Sequence, residues 1–398
     1  MNKVLKTLAT YMIPMTLVLF MACTTAKTPA KVATDYTERE IVEALPTKVS
    51  NPKNIIFLIG DGMGMGQISA GTYASGNSSN LERFPIVGIH KPTASSHLIT
   101  DSAAAATAFA TGVKTFNRAI GVDKDSIPVV TILEEAETKK MKTGLVATST
   151  IVHATPASFI AHNVNRRAYE EIAEDFLKTD IDFFAGGGKK FFDRREKDER
   201  NLIEELVSKG YVMDNYLSEN SVTKMKIETA EKFGYLTADE DPLPHFQGRD
   251  YLIDMSMTAV NFLDNRSQDE GFFLMIESSQ IDWGGHANDS DWIIDEFKEF
   301  DIVIGKILDW AMQDEETLVI VTADHETGGY TVHHKSTMDN IITNFTSKKH
   351  TGDFIPVFAY GPGAEAFSGI YDNTAIHTKM RNALGWTSEA IKSSSSSK

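Results

Sequence analysis

Asn54-Ile-Ile-Phe-Leu-Ile59 runs straight into Gly60-Asp61-Gly62, and this stretch sets the fold. A short unbroken apolar run, rich in branched residues and closed by a Gly-bounded turn, is the pattern of a strand buried on both faces of a parallel sheet. Phe272-Phe-Leu-Met-Ile276 repeats it and ends on Glu277, and Thr317-Leu-Val-Ile-Val-Thr322 repeats it and ends on Ala323-Asp324-His325-Glu326. Stretches of helical period at 129–140, 251–263 and 290–312 alternate with such runs. The last carries Ile293, Phe297, Phe300, Ile304, Ile307, Leu308 and Ala311 on one stripe. This alternation predicts an α/β fold, a three-layer sandwich with a central, mostly parallel sheet. Ligands of such sheets bind in the crevice beyond the carboxyl ends of the strands, so the acidic and imidazole groups ending these runs are candidate functional residues.

The 398 residues are enough for one large core. No internal repeat or long linker interrupts the pattern, and residues 51–388 read as a single domain. Residues 180–250 are more charged and weakly periodic, which predicts a peripheral insertion, and 389–398 read as a solvated Ser-rich tail.

Residues 1–22 read as a signal peptide. Lys3 and Lys6 precede an apolar stretch at 11–21 that is too short to span a bilayer comfortably, and Ala22 stands before Cys23. Cys23 is the only cysteine. It resembles the lipid-attachment cysteine of a bacterial lipoprotein, so 23–50 is expected to be a lipidated polar tether and the protein to be exported, to the periplasm or an outer surface. Its membrane contact would be through that anchor alone. With one thiol no internal disulfide can form. A net charge of -16, without any basic stripe, argues against a nucleic-acid surface.

Carboxylates and imidazoles converging at one sheet edge repel, or stay unsatisfied, unless a cation neutralises them. Mixed Asp/His sets suit zinc and all-oxygen sets suit magnesium. Asp282 and His286, four apart across Gly-Gly, can meet one ion with a further His. Asp324 and His325 can meet a second together with Asp61. Each residue alone has a blander reading as a turn, cap or surface group, and the convergence is what favours metal. Ser102, after Asp101 and before an Ala-rich run to Gly112, reads locally as a helix N-cap. A helix start also stabilises an anion or an alkoxide, and a nearby metal ion could activate the hydroxyl.

Six segments in order resemble those of alkaline phosphatases. They are Ile59-Gly-Asp-Gly-Met-Gly64, Thr100-Asp-Ser-Ala-Ala-Ala-Ala-Thr107, His153-Ala-Thr-Pro-Ala-Ser158 with Ala161-His-Asn-Val-Asn-Arg166, Glu277-Ser-Ser-Gln-Ile-Asp-Trp-Gly-Gly-His286, Thr322-Ala-Asp-His-Glu-Thr-Gly-Gly329, and His350-Thr-Gly352 before Ile355-Pro-Val-Phe-Ala-Tyr-Gly-Pro-Gly363. The resemblance implies hydrolysis of phosphate monoesters through a phosphoserine intermediate, with two Zn2+ and one Mg2+ per chain. Ser102 would be the nucleophile, and Arg166, held by Asp101, would clamp two phosphate oxygens. One zinc would take Asp282, His286 and His350. The other would take Asp61, Asp324 and His325, with the Ser102 oxygen beside it, and magnesium would take Asp61, Thr155 and Glu277. His153 and Trp283, behind these ligands, stand where some members place Asp and Lys. Many members carry a long insertion over their dimer where this chain has only 330–350, so a homodimer stays an open expectation. A diesterase usually lacks the Arg166 element, a sulfatase needs a modified Cys or Ser in its own motif, and a phosphate- or metal-binding lipoprotein would not need Ser102 in its helix context.

Overall fold

The computed structural model describes residues 51–386, apart from the side chains of 220–223. The signal peptide, the Cys23 tether and the Ser-rich tail lie outside the described residues. The strands in chain order are β1 (Asn54–Gly60), β2 (Ile86–Lys91), β3 (Lys142–Thr150), β4 (Phe183–Gly187), β5 (Tyr211–Asn215), β6 (Lys232–Leu236), β7 (Phe272–Ser278) and β8 (Thr317–Thr322). Four two-residue strands follow: β9 (Glu326–Thr327), β10 (Thr331–Val332), β11 (Thr343–Asn344) and β12 (His350–Thr351). The last are β13 (Ile355–Tyr360) and β14 (Gly369–Asp372).

Ten strands form one sheet in the order β14-β2-β13-β8-β1-β7-β3-β4-β6-β5. Only β13 opposes its neighbours, β2 and β8. The apolar run that opened the sequence is the centre of this sheet and is buried along its whole length. Its side chains alternate between faces, as a strand requires. Ile55, Phe57 and Ile59 pack with the helices Ser102–Thr111 and Thr374–Ala383. Ile56 and Leu58 pack on the other face with Leu252–Ser267 and Ser290–Asp314. Helices therefore cover both faces of the sheet, giving the three layers expected.

Helix Ser290–Asp314 shows why the pattern was readable. Asp289 caps it by accepting from the Trp292 N–H at 3.1 Å, and the whole predicted stripe from Ile293 to Ala311 is buried. Each such aliphatic or aromatic side chain contributes roughly 1.5–3 kcal/mol on leaving water. Residues 180–250, expected to be peripheral, supply β4, β6 and β5 at one edge of the sheet, continuous with it by parallel pairing.

Register positions the site. Ile59 pairs with Glu277 on one side and Thr322 on the other, so β1, β7 and β8 deliver Asp61, Glu277 and Asp324 to the same end. Gly62 turns the chain there with φ of 74°. A Cβ on it would lie 2.7 Å from the Asp282 Cα, so only glycine lets the helix Gln280–Ala287 come this close.

Candidate metal centre

Three sets of donor atoms converge at this edge, the members of each lying within 4.8 Å of one another: Asp282 with His286 and His350, Asp61 with Asp282 and His325, and Asp61 with His153 and Glu277. The first set has the clearest chemistry. His286 Nδ1 donates to the Lys348 carbonyl at 2.7 Å and His350 Nδ1 to the Thr100 carbonyl at 2.9 Å. In the neutral form each ring then has a bare lone pair on Nε2, and the two Nε2 atoms face each other at 3.2 Å. Asp282 adds carboxylate oxygens 3.4 Å from His286 Nε2 and 3.6 Å from His350 Nε2. Lone pairs pointed at one another in this way fit a cation between them, and carbonyls that fix the outer nitrogen are the usual support of a metal-binding imidazole.

His325 follows the same rule. The Thr327 hydroxyl donates to Asp282 Oδ1 at 2.5 Å, which leaves its oxygen to accept from His325 Nδ1 at 3.3 Å. Nε2 of His325 then faces Asp324 Oδ2 at 3.1 Å and Asp61 Oδ1 at 3.6 Å. Burial holds this imidazole well below its ordinary pKa, so it stays neutral and able to donate its lone pair.

The carboxylates show the complementary strain. Asp61, Glu277 and Asp324 are completely buried. Both oxygens of Asp61, Oε1 of Glu277, Oδ2 of Asp324 and the Thr155 hydroxyl have no hydrogen-bond partner. Burial, then the repulsion of Asp324, pushes Asp61 well above the usual carboxylate range. Burial, followed by the charge of Asp282, raises Asp324 to about 7, and burial raises Glu277 to about 8. The residues present thus fit bound cations, which would return these groups to their charged forms.

Ser102 is not the cap that local sequence suggested. Asp101 fills that place, its Oδ1 accepting from the Ala104 N–H at 3.0 Å, and Ser102 is the first residue of the helix. Its hydroxyl is therefore free of capping duty and lies 3.3 Å from His325 Nε2. Asp101 Oδ2 accepts from Arg166 Nη1 at 2.9 Å, while Arg166 Nη2 donates to His153 Nε2 at 3.3 Å. Burial, then the Arg166 charge, lowers His153 to about 3, which keeps it a neutral acceptor. A ring nitrogen of His153 thus lies within 4.8 Å of Asp61 and Glu277 oxygens, and His153 also accepts from the guanidinium. Trp283 meets the His153 ring edge-on at 6.3 Å.

The structure therefore brings together every site residue named from sequence. Sequence reasoning missed the groups that aim them: Thr327, the Thr100 and Lys348 carbonyls, and Glu326, which accepts from Gln67 at 2.9 Å and Thr351 at 2.5 Å. A cavity of about 790 Å3 lined by Tyr216, Tyr235, Asp241 and Tyr251 lies apart and holds none of the converging donors. Donor chemistry rather than volume marks the site.

Residues 52–344 and 339–386 match the family model described as alkaline phosphatase. Alkaline phosphatase 3 of Bacillus subtilis (strain 168) is 35% identical, with 83% of this chain and 89% of that protein covered. The alkaline phosphatase of Escherichia coli (strain K12) is 31% identical over 84% of this chain and 86% of its own. Among solved structures, alkaline phosphatase from the Antarctic bacterium TAB5 superposes with a TM-score of 0.81 at 42% identity, covering 86% of this chain and all of that one.

Proposed function

Because the chain belongs to the alkaline phosphatase family and is a metal-dependent phosphate monoester hydrolase, we propose that Ser102, Arg166 and three cations carry the reaction. One zinc would be held by Asp282, His286 and His350, a second by Asp61, Asp324 and His325 beside Ser102, and magnesium by Asp61, Thr155 and Glu277 with His153 alongside. The observation that carries this reading is the facing pair of bare imidazole nitrogens above Asp282. A TAB5 variant with histidine replaced by glutamate is described with Mg bound in its M3 site, which supports counting magnesium among the ions.

The phosphate dianion would sit between Ser102 Oγ and the Arg166 guanidinium, whose two-pronged geometry matches two phosphate oxygens. Asp101 and His153 hold the guanidinium in place before substrate arrives. Ser102 Oγ attacks phosphorus in line, the ester P–O bond breaks, and the alcohol leaves. Water then attacks the phosphoserine from the opposite side and releases inorganic phosphate, so two inversions retain configuration at phosphorus. When bound, the ions would lower the hydroxyl pKa and stabilise charge on the entering and leaving oxygens, as pairs about 3.5–4 Å apart do elsewhere. The groups named contact phosphate rather than the alcohol, so uncharged leaving groups should be discriminated by less than roughly tenfold.

Export as a lipoprotein anchored at Cys23 belongs to the same reading and is supported by the signal-like residues 1–22. No described helix is long and apolar enough to cross a membrane.

Turnover of 4-nitrophenyl phosphate should exceed that of bis(4-nitrophenyl) phosphate by orders of magnitude, and acid quenching should trap phosphate on Ser102. Ser102→Ala should lose roughly 10³-fold or more, with a remainder from Arg166 and the ions acting on direct water attack. Equal mono- and diester rates, or a Ser102→Ala enzyme as fast as its parent, would refute the assignment.

A further inference from the structure

One peptide unit beside the site is held from both ends. The Thr100 carbonyl accepts from His350 Nδ1 at 2.9 Å, the bond that leaves Nε2 of that ring turned toward His286 and Asp282. The Asp101 N–H belongs to the same peptide and donates to Asn117 Oδ1 at 3.1 Å. A peptide is planar, so its carbonyl and N–H point in opposite directions from one rigid plate, and fixing the N–H fixes the carbonyl. Successive hydrogen bonds through one amide also polarise each other. Asn117 thereby reaches His350 without touching it.

The chain at this point has no ladder to hold it. Residues 92–101 lie in no strand or helix, yet they run straight into Ser102, and Thr100 is buried. Asn117 takes the place of a strand partner. While its Oδ1 holds the Asp101 N–H, its Nδ2 donates to the Ile99 carbonyl at 3.1 Å, so one carboxamide spans Thr100 and is satisfied in a single orientation. The next residue continues the grip: the Arg118 N–H donates to Asp101 Oδ2 at 3.0 Å, and the Arg118 carbonyl accepts from the Arg166 N–H at 2.8 Å. An asparagine bonded to nearby backbone is ordinarily a loop brace and no more. Here the peptide it holds carries a metal-binding imidazole on its other side.

We propose that Asn117 is a positioning residue for the reaction, which sets, through the peptide between Thr100 and Asp101, the direction in which His350 presents Nε2 to its cation. The inference rests on Asp282, His286 and His350 as a zinc set. The two hydrogen bonds of Asn117 have separable roles. The one to Ile99 braces the loop, and the one to Asp101 aims the imidazole.

The test uses the full-length, metal-loaded enzyme and follows zinc passing to a chromophoric chelator, beside kinetics on 4-nitrophenyl phosphate and the melting temperature of the chelated protein. Asn117→Leu removes both bonds at similar volume in a half-buried place. Asn117→Asp keeps an oxygen for the Asp101 N–H and loses only the donor to Ile99. In Asn117→Leu one ion per chain should leave roughly tenfold faster, the size expected for a partner that orients a metal ligand. Its kcat should fall at limiting zinc and recover when zinc is added, with KM nearly unchanged. Zinc release from Asn117→Asp should stay close to the parent's, even where its chelated form melts as low as that of Asn117→Leu. Asn117→Ala, which only removes atoms, should lose zinc in the same direction as the leucine variant and replaces it if that variant does not fold. Parent-like zinc release in Asn117→Leu, or in Asn117→Ala where the leucine variant does not fold, overturns the proposal. So does release from Asn117→Asp as fast as from Asn117→Leu, which is what a brace acting only through Ile99 would give. A parent that binds no zinc would instead strike the metal assignment proposed above.

Discussion

Two regions of this molecule bury carboxylates to the same depth and resolve them in opposite ways. Behind the sheet, Glu296 and Glu299 share the buried Arg249. Nη2 pairs with Glu296, and Nη1 pairs with Glu299 at 2.7 Å, while the His245 N–H supplies a further bond to Glu296. At the carboxyl ends of β1, β7 and β8, Asp61, Glu277 and Asp324 have no such partner, because Arg166 is already held by Asp101 and His153. Where the chain intends closure it supplies its own cation, and where it leaves lone pairs pointing inward it is built to take cations from solution.

The largest contrast should appear on chelation. Stripping the ions should abolish activity and lower the melting temperature by on the order of 10 °C, since the free energy of ion binding belongs to the folded state. The pH dependence follows from the raised pKa values. Asp324 and Glu277 hold their protons in the metal-free fold up to about 7 and about 8 but release them near their ordinary values when unfolded. The metal-free protein should therefore lose stability as pH rises from about 4.5 through about 8. A chelated sample that melts at the same temperature at pH 5.5 and pH 8.5 contradicts this.

Arg249→Met is the matching disruption of the closed cluster. It leaves two buried glutamates unpaired and should cost about 3–5 kcal/mol in urea unfolding, while kcat of the folded, metal-loaded protein at low temperature stays near the parent's. A loss under about 1 kcal/mol would mean that the cluster is not closed by Arg249.

Legibility from sequence divides along the same line. The central strands were readable because burial on both faces demands unbroken apolar runs, and the donors were readable because they end those runs. Strands β4, β6 and β5 were not: each is five residues long, glycines interrupt the apolar runs of β4 and β6, and only β5, the outermost, is half-buried. Ser102 looked like a cap because local sequence cannot show that Asp101 takes the role. The carbonyls of Thr100 and Lys348, which aim His350 and His286, leave no mark in composition. That a ring nitrogen of His153 comes within 4.8 Å of Asp61 and Glu277 follows from its helix start being held against β3 and β7, a placement that only the sheet register determines.

The smallest predicted effect concerns Glu137, a half-buried carboxyl whose Oε2 accepts from the Asp180 N–H at 3.0 Å and which has no arginine beside it. Burial raises it to about 7, above its unfolded value, so the stability it costs is absent at pH 4 and grows as pH climbs through 7. Glu137→Gln should gain on the order of 1 kcal/mol at pH 8, discounted for its partial exposure, and nothing at pH 4. Equal effects at both pH values would show that burial does not raise this carboxyl.

The most direct test of the central claim is elemental analysis of the purified active protein, with activity measured on the same sample. The account predicts zinc and magnesium at a total near three ions per chain, with activity falling in step as they are removed. Full activity in protein carrying less than a tenth of an ion per chain would contradict it.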